Sequence, residues 1–532
     1  MPANQAFCNT CHGLVPAHRV ERDGKVYLVK ECPKCGATET MISSDAERHM
    51  GKRALDPGFD CEPCAAVQCV ECTHHRDPTF AFVDVTNRCN QRCPMCVDGV
   101  PAYGFVFDPP MAYFERIFEH LSHFDPKPTV CLFGGEPTVR DDICDIVALA
   151  RHHGLYVRVL TNGIRLADPD FCQQMVKSRA HLLFSYDGDN PETYRLLRGS
   201  TKVLDRKKKA IANLCSMAKR PRLSYVTCLA WGLNAEQLPE ILDFYHGQRH
   251  ILHGVYLMPL VQTWDTSDFD YAPERMTTED VEVMLDRCFP DERVQFISLG
   301  LASHFITIAK YLGKHALPYY GIHPNCESFY LLVSDGERYA PIERYLKKPL
   351  PEVAGDYLLP LERRLLDREK RWETSRLGRV LGALRLKDFA LRWLGRAALA
   401  RLALRLLHVG RMFKGKGIGK LGHALMTFLE LAVGCKSKKV RRRHMAVQET
   451  LPVVILPLED DPILETERLE RCASVHVYYN PNTDEVKYVP VCAWRLHSAR
   501  ILAELKEAYG SPASPEQLAQ APPEPDEAPA AP

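Results

Sequence analysis

A strand-like run at 79–86 is followed within a few residues by Cys89, Cys93 and Cys96, spaced C-x3-C-x2-C. Three thiolates can hold three corners of a [4Fe–4S] cluster. The fourth iron is then open to a small chelating ligand, and an iron with a free position can do chemistry on what binds there. One short segment therefore ties a strand end to a reactive site. Taken alone, the triplet also reads as a zinc knuckle or as core cysteines, so the residues around it decide.

Eleven of the 21 cysteines precede residue 97. Residues 1–30 are polar and contain Cys8 and Cys11, so no signal peptide is expected. No apolar run reaches transmembrane length. These features place the chain in the cytoplasm, where clustered cysteines read as metal ligands rather than disulfides. A length of 532 residues implies several domains, and a net charge of +1 gives no general pull toward nucleic acid.

Residues 1–50 carry Cys8, Cys11, Cys32 and Cys35 as two C-x2-C knuckles around a strand-like 25–30, a set suited to one tetrahedral zinc or iron. Residues 51–78 hold Cys61, Cys64, Cys69 and Cys72, which can enclose an auxiliary [4Fe–4S] cluster or a second zinc. Residues 79–300 alternate strands (79–86, 129–133, 156–161, 181–186, 222–229, 254–260) with amphipathic helices (112–124, 142–152, 169–178, 235–246). This is the βα pattern of a parallel barrel. The fold class is α/β, a partial (β/α)6 TIM barrel with an N-terminal four-cysteine knuckle and a helical and hairpin C-terminal extension. Its chemistry belongs at the C-terminal strand ends. Those ends carry Gly134, Gly135 and Glu136, then Thr161 and Asn162, then Ser185 and Asp187. Cys131, Cys144, Cys172, Cys215, Cys228 and Cys288 fall within strands and helices, where core packing is their default.

With the triplet after the first strand and the Gly-Gly-Glu after the second, the chain resembles the radical S-adenosylmethionine (SAM) superfamily. The resemblance implies that the open iron binds SAM and that a 5′-deoxyadenosyl radical abstracts hydrogen from unactivated carbon. It implies that Glu136, with Gly134 and Gly135, grips the SAM amino group. It also implies that Thr161, Asn162, Ser185 and Asp187 face the SAM ribose and carboxylate, or the substrate. Met95 stands where the family usually has an aromatic residue. The cysteine order over about residues 1–345 is similar to that of the tetraether (membrane-spanning) lipid synthase group, although Gly58 stands where that group's pattern would place a cysteine. This closer resemblance implies C–C bond formation between lipid alkyl chains.

Residues 301–510 extend the barrel. Cys326, Cys435, Cys472 and Cys492 are the cysteines after residue 300 and could form a second auxiliary cluster, or four buried apolar sites. Between Arg376 and Arg443, lysines and arginines far outnumber the acids Asp388 and Glu430, interleaved with leucines from 381 to 407. Such basic amphipathic helices suit a lipid substrate or an anionic membrane surface, giving peripheral membrane association. The competing reading is a helical hairpin packed on the barrel. Residues 511–532 are Pro/Ala/Glu-rich and expected to be disordered. A low-potential electron donor is the other partner that the resemblance implies. A peptide or cofactor maturase, and a non-catalytic iron–sulfur membrane adaptor, are the rival functions.

Overall fold

The computed structural model describes residues 4–58, 77–97, 105–262, 274–314, 317, 319, 321–376, 387–435, 437–458 and 460–512. The cysteine loop with Cys61, Cys64, Cys69 and Cys72 lies outside the described residues. The chain divides into two compact units. The first comprises Met1–Glu47, Asp60–Val281 and Ile455–Pro532, and the second Arg48–Phe59 and Glu282–Val454.

The first unit opens with an antiparallel ribbon, β1 (Gln5–Phe7), β2 (Leu14–Arg22), β3 (Lys25–Cys32) and β4 (Gly36–Ser43), paired in that order. Strict alternation along β3 turns Val26, Leu28, Lys30 and Cys32 inward. Lys30 is fully buried, and its ammonium donates to the carbonyls of Phe7 and Pro462 and to Asn9 Oδ1. Burial lowers that lysine to about 8. Arg19 pairs with Glu465 and Glu467, and Ile463 joins Ala6, Ala17 and Leu28 in one apolar cluster. The ribbon is thus fastened to the chain near 460–467.

The strands that follow are β5 (Phe80–Thr86), β6 (Phe105–Phe107), β7 (Thr129–Gly134), β8 (Tyr156–Thr161), β9 (His181–Ser185), β10 (Arg222–Leu229) and β11 (Leu252–Pro259). The second unit contains β12 (Ile297–Ser298), β13 (Ser328–Ser334), β14 (Tyr339–Pro341) and β15 (Glu449–Ile455). The chain then returns to the first unit with β16 (Ser474–Asn480) and β17 (Glu485–Pro490). All six strands expected from the periodicity form, in the order β11-β10-β9-β8-β7-β5, parallel throughout. The C-terminal hairpin extends the same sheet. β16 lies parallel to β5, and β17 closes the edge antiparallel. The pattern placed this hairpin in the extension without showing which strand it joins.

One face of the sheet packs on helices Met111–Ser122, Ile143–His152, Pro169–Ser178 and Lys202–Ser216, and Ala81, Val83 and Val85 lie fully buried on the strand they cover. The other face curls around a lumen. Arg158 of β8 lies over the rings of Phe80 on β5 and Tyr256 on β11, two strands that are not its neighbours. Only side chains crossing the lumen can meet this way. Phe80, Phe82 and Asp84 alternate onto that face.

In the second unit, helices Leu359–Thr374, Lys387–Leu406, Ile418–Ala432 and Ser437–His444 dominate. Helix Lys387–Leu406 has no single apolar face, contrary to the amphipathic expectation for that stretch. It buries Leu391 and Leu406 while Phe389, Trp393, Leu394 and Leu404 are exposed. Arg396 is used internally, donating to the carbonyls of Tyr311 and Ala432. The described apolar stripe falls instead on Ile418–Ala432. No described helix is long and apolar enough to cross a membrane.

Candidate active site

The loop leaving β5 carries the three cysteines, and the loops leaving β7, β8 and β9 supply its surroundings. Gly134 has φ +111°, and a Cβ there would sit 2.3 Å from the Thr86 carbonyl oxygen. A Cβ on Gly135 would sit 2.2 Å from the Arg88 oxygen. The glycines thus give up their space to the backbone of the cysteine loop itself. Gly135 and Glu136 donate their N–H groups to Thr86 and Arg88, which fixes where that loop begins.

Glu136 is buried, and its carboxylate collects protein donors. Oε1 accepts from Thr138 N (3.0 Å), Thr138 Oγ1 (2.5 Å) and Thr161 Oγ1 (2.7 Å), while Oε2 accepts from Asn162 N (2.6 Å). Burial raises this carboxyl above the ordinary range, and the four hydrogen bonds oppose that shift. Of about four acceptor positions on a carboxylate, the one left open lies on Oε2. Asn162 also donates to Asn90, inside the cysteine loop, at 2.8 Å. Glu136, Thr161 and Asn162 are therefore brought together as one bonded unit beside the cysteines.

Ser185 and Asp187 take a different position. Asp187 is fully buried; Arg198 grips it through Nε (2.8 Å) and Nη2 (3.1 Å), and Cys228 N donates to its Oδ1 (2.9 Å). Its carboxylate faces the protein and not the rim, contrary to the expected ligand-facing role. Asn234 ties the same corner by donating to the carbonyls of Asp187 and Cys228. Ser185 accepts from Lys207, whose ammonium reaches Ser185 O (2.6 Å), Ser185 Oγ (2.7 Å) and Asn162 O (2.7 Å).

Sequence reasoning missed Arg198 and Lys207. Arg198 hydrogen-bonds the Cys93 sulfur as well as Asp187. Burial raises the Cys93 thiol, and Arg198 and Lys207 oppose that rise. Cys89 is pushed well above the ordinary thiol range, chiefly by burial and then by the charge of Glu136. Lys207 is itself fully buried and lowered to about 7 by desolvation and by Arg198. Three thiolates on an iron–sulfur core leave a net negative cluster, and Arg198, with Lys207 when it is protonated, answers that charge. The donor set thus fits an anionic cluster with one open iron. Met95 rests on the apolar cluster of Leu197, Cys228, Ala230, Leu233 and Leu260, so methionine fills a packing role at the family's aromatic position.

The ribbon cysteines converge independently. Cys8, Cys11, Cys32 and Cys35 bring their sulfurs within 4.8 Å of one another, the spacing of four ligands around a single ion. Backbone N–H groups of Cys11 and Thr10 lower the Cys8 thiol to about 6. Among the described residues this is the one group gathered so tightly; sulfurs on a cubane stand further apart. Of the late cysteines, Cys326 and Cys435 belong to the second unit and Cys472 and Cys492 to the first. Cys435 is exposed, and Cys472 donates to the Ser474 carbonyl. Cys131, Cys172 and Cys228 are core residues, as their positions implied.

A metal ribbon beside a parallel half-barrel, with three cysteines after its first strand, defines a radical SAM architecture. Residues 83–245 match the model of the radical SAM superfamily, and residues 3–44 match that of the HMPTM N-terminal zinc ribbon domain. The chain thus carries a radical SAM domain and, ahead of it, a zinc ribbon. The chain is 27% identical over 358 residues to a 7,8-dihydro-6-hydroxymethylpterin dimethyltransferase of Methanocaldococcus jannaschii, covering 64% of this chain and 70% of that protein. It is 26% identical over 231 residues to a probable GTP 3′,8-cyclase of the same organism, covering 42% and 74%. Among solved structures, Streptococcus suis SuiB bound to S-adenosylmethionine is similar, with a TM-score of 0.31, 16% identity and coverage of 51% of this chain and 68% of that one.

Proposed function

We propose that this radical SAM enzyme forms a C–C bond between alkyl chains of membrane lipids. When bound, the cluster and SAM supply hydrogen abstraction from unactivated carbon, using electrons from a low-potential donor. Joining two chains removes one hydrogen from each terminal methyl and makes one C–C bond. Two SAM are consumed, two electrons enter, and two methionines and two 5′-deoxyadenosines leave. Within this reading Cys89, Cys93 and Cys96 hold the cluster. Glu136 offers its open Oε2 position to the SAM ammonium, with Thr161 and Asn162 ordering the same rim.

The observation that carries the choice of a lipid is the helix Ile418–Ala432. Ile418, Leu421, Leu425, Met426, Leu429 and the following Val433 are between 44% and 85% exposed, at helical spacing. Its buried side is the small Ala424 and Thr427. Lys414, Lys416, Lys439, Arg442 and Arg443 are exposed on the flanking segments, and each contributes about 1 kcal/mol toward an anionic bilayer. An exposed apolar stripe with a basic surround is the make-up of a helix that lies in a membrane surface.

The test is a turnover assay. Reduced, reconstituted enzyme is given SAM and a dialkyl glycerolipid in anionic vesicles, and products are read by mass spectrometry. The reading expects 5′-deoxyadenosine together with lipid whose chains are joined, at a mass lower by two hydrogens per new bond. Deoxyadenosine formed only with another substrate class would overturn it.

A second reading is supported by one comparison and one feature. The pterin dimethyltransferase relative suggests methyl transfer to a small heterocycle, and the polar lumen floor around Arg158, Tyr256 and His181 would suit such a molecule. The same assay with 7,8-dihydro-6-hydroxymethylpterin separates the two.

A further inference from the structure

Above the Arg158 floor, the lumen holds a polar pair that the rim does not use. Asp84 lies on β5 opposite Phe133 of β7, and His476 lies on β16 opposite Phe82 of β5. The two side chains face each other, with His476 Nδ1 3.9 Å from Asp84 Oδ1. Both atoms are buried, and among the described residues neither has a hydrogen-bond partner. That separation is too long for a direct bond. Each buried group left unmatched carries its full desolvation penalty, so a native structure that keeps both calls for an explanation.

The surroundings narrow it. Phe82 and Phe133 meet edge to face at 5.8 Å, and each ring stands 5.8 Å from the His476 imidazole. Trp494 stacks on the other side of that imidazole at 4.4 Å and 18°. The imidazole is held rigidly, and the Asp84 side chain is 22% exposed where His476 is 5%. The pair is therefore approached from the Asp84 side. That side is the C-terminal side, since Asp84 is one pair below the Thr86–Gly134 bridge where the cysteine loop begins.

We propose that Asp84 and His476 bind an alcohol hydroxyl of the substrate in the lumen beneath the cysteine rim. A hydroxyl oxygen can sit between the two atoms, donating its hydrogen to Asp84 Oδ1 and accepting from His476 Nδ1–H. A hydroxyl both donates and accepts, so it satisfies both atoms at once. The aromatic walls then pack on the carbon that bears it. Desolvation raises Asp84 to about 7 and lowers His476 to about 3, so a neutral ligand group suits the pair better than an ion. The inference rests on the reading that the radical SAM lumen receives the substrate. Alcohol groups of this kind occur on a glycerolipid and on a hydroxymethyl heterocycle alike.

The experiment measures binding by equilibrium dialysis of the full reconstituted chain without reductant, so that no turnover occurs. One arm uses a short-chain dialkylglycerol and its methyl ether. The other uses 7,8-dihydro-6-hydroxymethylpterin and its 6-methyl counterpart. The variants are Asp84→Asn, His476→Phe and His476→Asn, the last placing an amide donor near the Nδ1 position. Cluster absorbance and SAM affinity are followed in each variant, so a misfolded lumen is recognised. The expected result is about tenfold tighter binding of the hydroxylated member of one pair, the effect of one hydrogen bond of ordinary strength. Asp84→Asn and His476→Phe lose that preference with cluster and SAM affinity unchanged, and His476→Asn restores part of it. Preference in the glycerol arm assigns the hydroxyl to the lipid; preference in the pterin arm keeps this proposal and removes the lipid reading. No preference in either arm, or one that survives Asp84→Asn and His476→Phe, overturns the proposal and leaves an ordered water as the occupant.

Discussion

Replacing Lys207 by methionine removes a buried charge while keeping most of the side chain's length. The lysine is fully buried at the ends of β8 and β9 and sits near 7, against 10.5 for an unperturbed lysine. Between those values the unfolded chain holds the proton and the folded chain does not, so native stability rises with pH across the window. From pH 6 to pH 9, linkage gives a gain of about 3 kcal/mol from this group alone. Lys207→Met has no such group and loses the gain. At pH 9 the variant also leaves Asn162 O, Ser185 O and Ser185 Oγ without their donor, at about 1 kcal/mol each. The assay is urea unfolding of both proteins in cluster-free form at pH 6 and pH 9, followed on the same barrel transition, and the quantity read is the difference of the two differences. Wild type should gain on the variant by about 3 kcal/mol as pH rises. A gap that is independent of pH, or one that narrows, would refute the reasoning that burial disfavours the protonated form of Lys207.

Three further outcomes are expected. Glu136→Gln keeps the acceptor facing Thr138 and Thr161 but turns an amide N–H toward Asn162 N; it should cost about 1–3 kcal/mol and weaken SAM binding, read by equilibrium dialysis. Arg198→Met leaves the fully buried Asp187 unpaired, which should cost about 3–5 kcal/mol and lower the thermal midpoint even without SAM. Serine at any of Cys8, Cys11, Cys32 or Cys35 should remove one metal ion per chain by elemental analysis while the cluster iron is retained, and the same analysis of wild type identifies the ion as zinc or iron.

The parts of the site written as short local motifs were legible in the sequence. Cys89–Cys96 and the Gly134–Glu136 turn carry their chemistry in consecutive residues, and the strand periodicity placed each at a strand end. Lys207 was hidden in a run of three lysines that reads as a solvated face. The helix, however, buries Val203, Leu204, Lys207, Ala210, Ile211 and Leu214, so the lysine occupies a position of the apolar stripe, and that interruption was the available signal. Asp187 had the right position for a ligand-facing residue but is claimed by Arg198, eleven residues on, a tertiary pairing that no local pattern encodes. His476 could not be linked to Asp84 because the parallel pairing of β16 with β5 joins segments almost 400 residues apart. The leucines of 381–407 suggested an amphipathic face by number more than by spacing. The helix Ile418–Ala432 has the spacing, with fewer charges to advertise it.

The most direct measurement of the central claim is isotope transfer. Reduced enzyme is incubated with SAM and a dialkyl glycerolipid deuterated only at its terminal methyl groups, and the 5′-deoxyadenosine is weighed by mass spectrometry. A radical SAM enzyme that couples alkyl chains will return 5′-deoxyadenosine one deuterium heavier, and Cys89→Ala, Cys93→Ala or Cys96→Ala will return none. Unlabelled 5′-deoxyadenosine formed in the presence of that lipid would contradict the lipid as substrate, and no 5′-deoxyadenosine from the fully reconstituted wild type would contradict the radical chemistry itself.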